Sequence, residues 1–154
     1  MNTEKAEFLR SQFIPLVKKL KGDEKGKWGK MDAQQMVEHV NDFFKVSINQ
    51  LSFPLTTPAD LLPRYKEFLM SEKEFRENTK APVLPDEPVA HKHLSFHLAV
   101  DALESDVQKF FTFFSNEQAK TTLHPAFGEL NFEEWVQLHH KHVKHHLKQF
   151  GLID

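Results

Sequence analysis

The sequence predicts an all-α protein, a four-helix bundle running up-down-down-up with a long crossover between helices 2 and 3. Three observations predict it. Four segments carry apolar residues at helical spacing, and clear N-cap residues stand before two of them. No run of useful length alternates with the period of a strand. The connections from helix 1 to 2 and from helix 3 to 4 are short, which makes those neighbours antiparallel, whereas helix 2 is separated from helix 3 by about 40 residues. A connection of that length can cross the whole molecule and let helix 3 run parallel to helix 2.

The first helix is expected over residues 3–20, with Phe8, Leu9, Phe13, Leu16, Val17 and Leu20 on its apolar side and Pro15 as a kink point inside it. KGDEKGKWGK follows with three of the chain's five glycines, Gly22, Gly26 and Gly29, and reads as a loop. The second helix begins after Asp32, an N-cap that forms a capping box with Gln35, and Met31 and Met36 can staple it. Its stripe is Ala33, Met36, Val40, Phe43, Phe44, Ser47 and Leu51, with His39 at the margin. From Leu51 to His93 lie six of the eight prolines, Pro54, Pro58, Pro63, Pro82, Pro85 and Pro88, around one short helix at roughly Leu61 to Ser71. The third long helix is expected from His97 to Ser115, burying Val100, Leu103, Val107, Phe110, Phe111 and Phe114 and keeping Glu104, Asp106, Gln108 and Lys109 elsewhere. TTLHPAFGEL leads into the fourth, Trp135 to Phe150, which has Asn131 as N-cap, Glu134 at N3, a Leu130–Trp135 staple and Gly151 just past its end.

Composition narrows the function classes. A chain of 154 residues is the size of one domain, taken here as residues 1–154. The net charge of −2 offers no basic field for nucleic acid or an anionic membrane. No apolar run approaches the ~20 residues of a membrane span, and MNTEKAEFLR has no signal-peptide core, so a cytoplasmic location is expected. Cysteine is absent, which removes disulfides, zinc–sulfur sites and nucleophilic thiolates. Glycine-rich phosphate loops, G-x-S-x-G and H-E-x-x-H are absent too. Fifteen phenylalanines against one tyrosine point to a dry, bulky core.

The chemistry concentrates in the last helix, WVQLHHKHVKHHLKQF, which holds five of the ten histidines. On a wheel of about 100° per residue, Glu133, Gln137, Lys141, Lys144 and Lys148 share a side that should face water. The opposite arc carries Trp135, Leu138, His139, His142, His146 and Phe150. His140 and His145 fall at its edges. His142 and His146, four apart, lie on adjacent turns with ring nitrogens able to converge. Such histidines either hydrogen-bond to carboxylates in the core or rim, or hold a metal, and bundle geometry bears on the choice. His39 lies seven residues into helix 2, and His142 and His146 lie nine and five residues before Gly151. At ~1.5 Å per residue, and with helix 4 antiparallel to helix 2, all three sit at one level. Three histidine ligands leave a fourth coordination position open, the pattern of a catalytic site. Glu38 adjoins His39 but points about 100° away, so no general base is evident.

The segments WGKMDAQQMVEHV (residues 28–40), HPAFG (residues 124–128) and EEWVQLHHKHVKHHLKQF (residues 133–150), with the helix order, resemble the DinB-like (DinB/YfiT) superfamily, in a branch of unknown function. The resemblance covers nearly the whole chain. It implies an up-down-down-up bundle, often a homodimer, and a metal triad of one histidine on helix 2 and an H-x-x-x-H pair on helix 4. These fall on His39, His142 and His146. The family ending H-x-x-H-H-x-x-Q is matched by His142, His145, His146 and Gln149, with Leu147-Lys148 where Arg-Gly is more usual.

Similar proteins include S-transferases and isomerases that use bacillithiol, mycothiol or glutathione. The resemblance therefore implies a metal-dependent enzyme acting on a small molecule with a low-molecular-weight thiol. Zn is the first expectation for the ion, with Ni, Fe or Cu suiting the same imidazoles. Metal-dependent hydrolysis is a second enzymatic reading. A metal-stabilised binding or stress-response bundle is the non-catalytic one, and a metal-free bundle with a histidine-rich rim remains beside them. His139 and His145 are candidates for proton transfer or for supporting the ligands. The pocket should have the triad as its floor, and Trp135 or Trp28 with crossover residues 52–91 as its walls.

Overall fold

Pro15 sets the shape of the first helical segment. In the computed structural model, which describes residues 3–79 and 83–154, that segment is two helices, α1 (Thr3–Ser11) and α2 (Phe13–Val17). Proline lacks an N–H and crowds the carbonyl four residues back, so it is tolerated in a helix's first turn and not in its interior. The break at Gln12 (φ −111°) places Pro15 in the first turn of α2. The expected kink is therefore a full restart.

The second expected helix is α3 (Ala33–Ser47), and its capping box is formed as read. Gln35 N–H donates to Asp32 Oδ1 at 2.8 Å, and Asp32 N–H donates to Gln35 Oε1 at 2.9 Å. The crossover contains a 3₁₀ turn (Ala59–Leu61) running into α4 (Leu62–Met70), close to the expected short helix. Pro82, one of the six prolines assigned to the crossover, lies outside the described residues. The third long helix is α5 (Phe96–Phe114), capped by the Ser95 hydroxyl, which accepts from Leu98 N–H.

TTLHPAFGEL is not a plain connection. It folds into a hairpin of β1 (Thr122–His124) and β2 (Gly128–Leu130), antiparallel with Leu123 opposite Glu129. Three-residue strands are too short to show an alternating pattern, so periodicity could not find them. The hairpin fastens three elements: Trp135 Nε1 donates to Thr122 Oγ1 at 2.7 Å, and that hydroxyl donates to the Ser47 carbonyl at 2.9 Å.

The last helix is α6 (Phe132–Gln149), with the Asn131–Glu134 capping box in place. It stops where Gly151 takes φ +72°, a left-handed conformation that side chains disfavour. Leu152 N–H reaches the Leu147 carbonyl and Gly151 N–H the Lys148 carbonyl, which satisfies the last turn.

The chain is mostly helical. α3 packs along α5, while α6 lies against α1, α3 and α4. The shared core is aromatic. Phe13, Phe44, Phe110, Phe114 and Trp135 are fully buried, and Phe110 touches the rings of Phe44, Phe114 and Phe132. Among the described residues no helix is long and apolar enough to cross a membrane.

Two expectations of exposure fail, both because the polar side chain meets a partner. Gln137 and Lys141, assigned to water, are buried under the chain that leaves α4. Gln137 Nε2 and Lys141 Nζ donate to the Ser71 carbonyl, and Lys141 also donates to that of Lys73. Asp106, placed away from the core stripe, is buried and ion-paired with Lys45 at 3.1 Å. Glu133 is exposed as expected, and Lys144 and Lys148 are half-buried.

Candidate metal centre

His39 comes from the second turn of α3, and His142 and His146 from the last two turns of α6. The two helix ends are held level by the loop before α3, whose Lys27 N–H donates to the Gln149 carbonyl at 2.7 Å. The three imidazoles meet. His39 Nε2 lies 3.0 Å from His142 Nε2, which lies 3.1 Å from His146 Nε2. All three ligand nitrogens fall within 4.8 Å of one another. Nitrogens bound tetrahedrally at 2.0–2.1 Å would stand about 3.3 Å apart, so small adjustments would seat an ion.

The donors are in the right chemical state. Burial, the largest cause, pushes His39 down to about 4 and holds His142 and His146 well below the ordinary histidine range. At neutral pH each ring is therefore uncharged and carries one lone pair. For His146 the tautomer follows from its neighbour. Nδ1 donates to Gln149 Oε1 at 2.7 Å, leaving the lone pair on Nε2, and Gln149 is itself oriented because its Nε2 donates to the Trp28 carbonyl at 2.9 Å. The loop closes tightly on this amide. A Cβ on Gly29, whose φ is +79°, would come within 2.9 Å of Gln149 Nε2.

The triad lies in a cleft of about 1420 Å³. Both tryptophans line it, with Phe43, Phe68, Phe75 and Phe127. Tyr65, Phe68 and Phe75 belong to the crossover, so the expected combination of tryptophan and crossover walls is present. The crossover then returns along α3. Glu38 accepts from the N–H groups of Lys92 and His93, from His93 Nδ1 and from Gln34 Nε2. Those bonds outweigh its burial and hold its carboxyl below the usual range. Lys92 pairs with Asp42, and His91 with Asp32.

The other histidines divide by role. His139 lies in the core, its ring stacked on Phe44 at 3.8 Å and facing Trp135 at 5.2 Å, with a buried Nε2 that has no partner among the described residues. No hydrogen bond joins it to the triad among those residues, so it packs rather than orienting a ligand. His145 borders the cleft, against Trp28, Phe75 and His146. His140 packs edge-on against Phe8, away from the cleft.

Two residues carry more of the site than the sequence suggested. Gln149 was legible as part of an H-x-x-H-H-x-x-Q ending, and its i+3 offset from His146 was the signal for its contact. His124 was legible only as the first residue of HPAFG, with no sign of what its ring would touch. Its Nδ1 accepts from the N–H groups of Ala126 and Phe127, making the imidazole an internal clamp for the hairpin turn. Burial pushes it down to about 3.

A family model described as "Protein of unknown function" matches residues 12–151. No curated protein matches the chain. No solved structure matches it either.

Proposed function

The chain belongs to that family of unknown function, DUF1569, and we propose, from the site, that it is one DinB-like domain over residues 1–154. On this reading its helices run as an up-down-down-up bundle. It holds a divalent ion at His39, His142 and His146, with Zn²⁺ the best fit to three imidazoles and an open position and Ni or Fe next. It acts on a small molecule as a metal-dependent enzyme that uses a low-molecular-weight thiol, in the manner of an S-transferase. The observation that supports this most is the convergence of three neutral imidazole nitrogens, 3.0 and 3.1 Å apart, at the floor of an open cleft.

When bound, the ion would supply Lewis acidity, enough to keep a coordinated thiol deprotonated near neutral pH. The chain's own residues fit a thiol better than water. It has no cysteine, so a sulfur nucleophile has to come from a cofactor. Glu38, the carboxylate beside the triad in sequence, is spent on four hydrogen bonds to Gln34, Lys92 and His93, and is not free to take a proton from water. The aromatic side chains that line the cleft lower the local polarity around the triad, which strengthens electrostatic contacts there. Gln149 fixes His146 with Nε2 facing its two partners.

Cobalt makes the reading testable. The Co²⁺-loaded protein should develop a sulfur-to-cobalt charge-transfer band when titrated with glutathione, bacillithiol or a simple thiol. Absence of that band with every thiol, in protein shown to hold cobalt, removes the transferase reading.

A further inference from the structure

The carboxylates around the cleft are all paired, but not all of its cations are. Five carboxylates line it, Glu38, Asp42, Glu74, Asp86 and Glu87. All are engaged. Glu38 is held by Gln34, Lys92 and His93, Asp42 pairs with Lys92, Glu74 with Lys148, and Glu87 with Lys30. Asp86 is partnered as well. Two arginines of the same lining, Arg64 and Arg76, have no carboxylate or other partner for their guanidinium groups among the described residues. Both are on the crossover. Arg64 shares a face of α4 with Phe68, one turn on, and Arg76 directly follows Phe75. The rings of Phe68 and Phe75 lie 5.6 Å apart.

A dication held by three neutral imidazoles also leaves its full charge at the floor. The cleft therefore presents positive charge at its floor and on the exposed arginines, with an aromatic lining. Arginine's planar fork matches a carboxylate.

We propose that the cleft takes a small amphipathic anion, with a metal-seeking head group at the triad, a flat apolar body against Phe68 and Phe75, and a carboxylate held by Arg64 and Arg76. This rests on the metal-site reading above but not on the thiol. It makes the two arginines specificity determinants rather than solvated surface charges.

The test uses hydroxamates, which seek a metal without sulfur. Benzohydroxamate and 4-carboxybenzohydroxamate are titrated into the Co²⁺-loaded protein, and binding is read from the visible cobalt spectrum. The carboxylated probe should bind at least about fivefold tighter, as expected for exposed charge-assisted contacts. The preference should shrink as salt is added. It should vanish in the Arg64→Gln, Arg76→Gln double variant, with benzohydroxamate binding unchanged as the control for an intact site. Equal affinities in the unsubstituted protein overturn the proposal, and so does a preference that survives in the double variant. If neither hydroxamate perturbs the cobalt spectrum, the accessible metal site fails and the proposal falls with it, whereas a negative thiol titration beside a positive hydroxamate preference removes the thiol alone.

Discussion

His142 Nε2 lies about 3 Å from both His39 Nε2 and His146 Nε2, so the three cannot all present lone pairs to one another without cost, and an N–H on one ring or a cation relieves it. With His146 Nδ1 donating to Gln149, an N–H on one of the other two rings can serve one neighbouring lone pair well, whereas a cation accepts all three. Gln149 then matters through His146. Gln149→Ala should weaken metal binding by about 10- to 100-fold, the usual effect of losing a ligand's hydrogen-bond partner, with the circular dichroism spectrum unchanged. Unaltered affinity in a competition titration would reduce the amide to a loop anchor. His124 provides a residue-scale pH test away from the ligands. Its folded value of about 3 lies below the unfolded value of about 6.5. The unfolded chain therefore binds more protons between those limits, and stability rises with pH across that window. The contribution is complete above pH 6.5 and is lost as pH falls towards 3. Between pH 6.5 and 5 the loss from this group should be about 2 kcal/mol. His124→Gln should reduce the fall in urea-unfolding stability over that interval by a similar amount. An identical fall in both proteins would mean that burial does not hold His124 neutral in the folded chain.

At the scale of elements, what could be read depended on whether side chains or backbone made the contact. Both capping boxes and the Gly151 stop were legible because each is a short-range pairing of residue types. The triad was legible because helical rise converts residue number into depth, so His39, His142 and His146 could be placed at one level before any contact was known. The exposure of Gln137 and Lys141 was misread because their partners are the Ser71 and Lys73 carbonyls, and a carbonyl has no signature in sequence. The return of the crossover along α3 was hidden for the same reason, since Glu38 receives backbone N–H groups from Lys92 and His93. Glu38→Ala should therefore destabilise the protein by about 1–3 kcal/mol, because it leaves the buried Gln34 amide and the half-buried Lys92 and His93 N–H groups without their acceptor. Amide exchange at Lys92 and His93 should accelerate while the interior of α3 stays protected. Unchanged exchange at those two amides would show that other contacts pin the segment.

For the molecule as a whole, stability and chemistry come from different residues. The phenylalanine cluster of α3, α5 and α6 forms a continuous core around Phe110, and the triad sits beside it rather than within it. Removing metal should leave helix content nearly intact by circular dichroism. An unfolded apo protein would make the ion structural and turn the functional reading towards a metal-stabilised binding module. Whether His39, His142 and His146 together hold one ion is decided by metal analysis of untagged protein, purified without chelators and reconstituted with Zn²⁺. About one ion per chain is expected, lost in each of His39→Ala, His142→Ala and His146→Ala and retained in His140→Ala. Full occupancy in His39→Ala, or no stoichiometric metal in the unsubstituted protein, would contradict it.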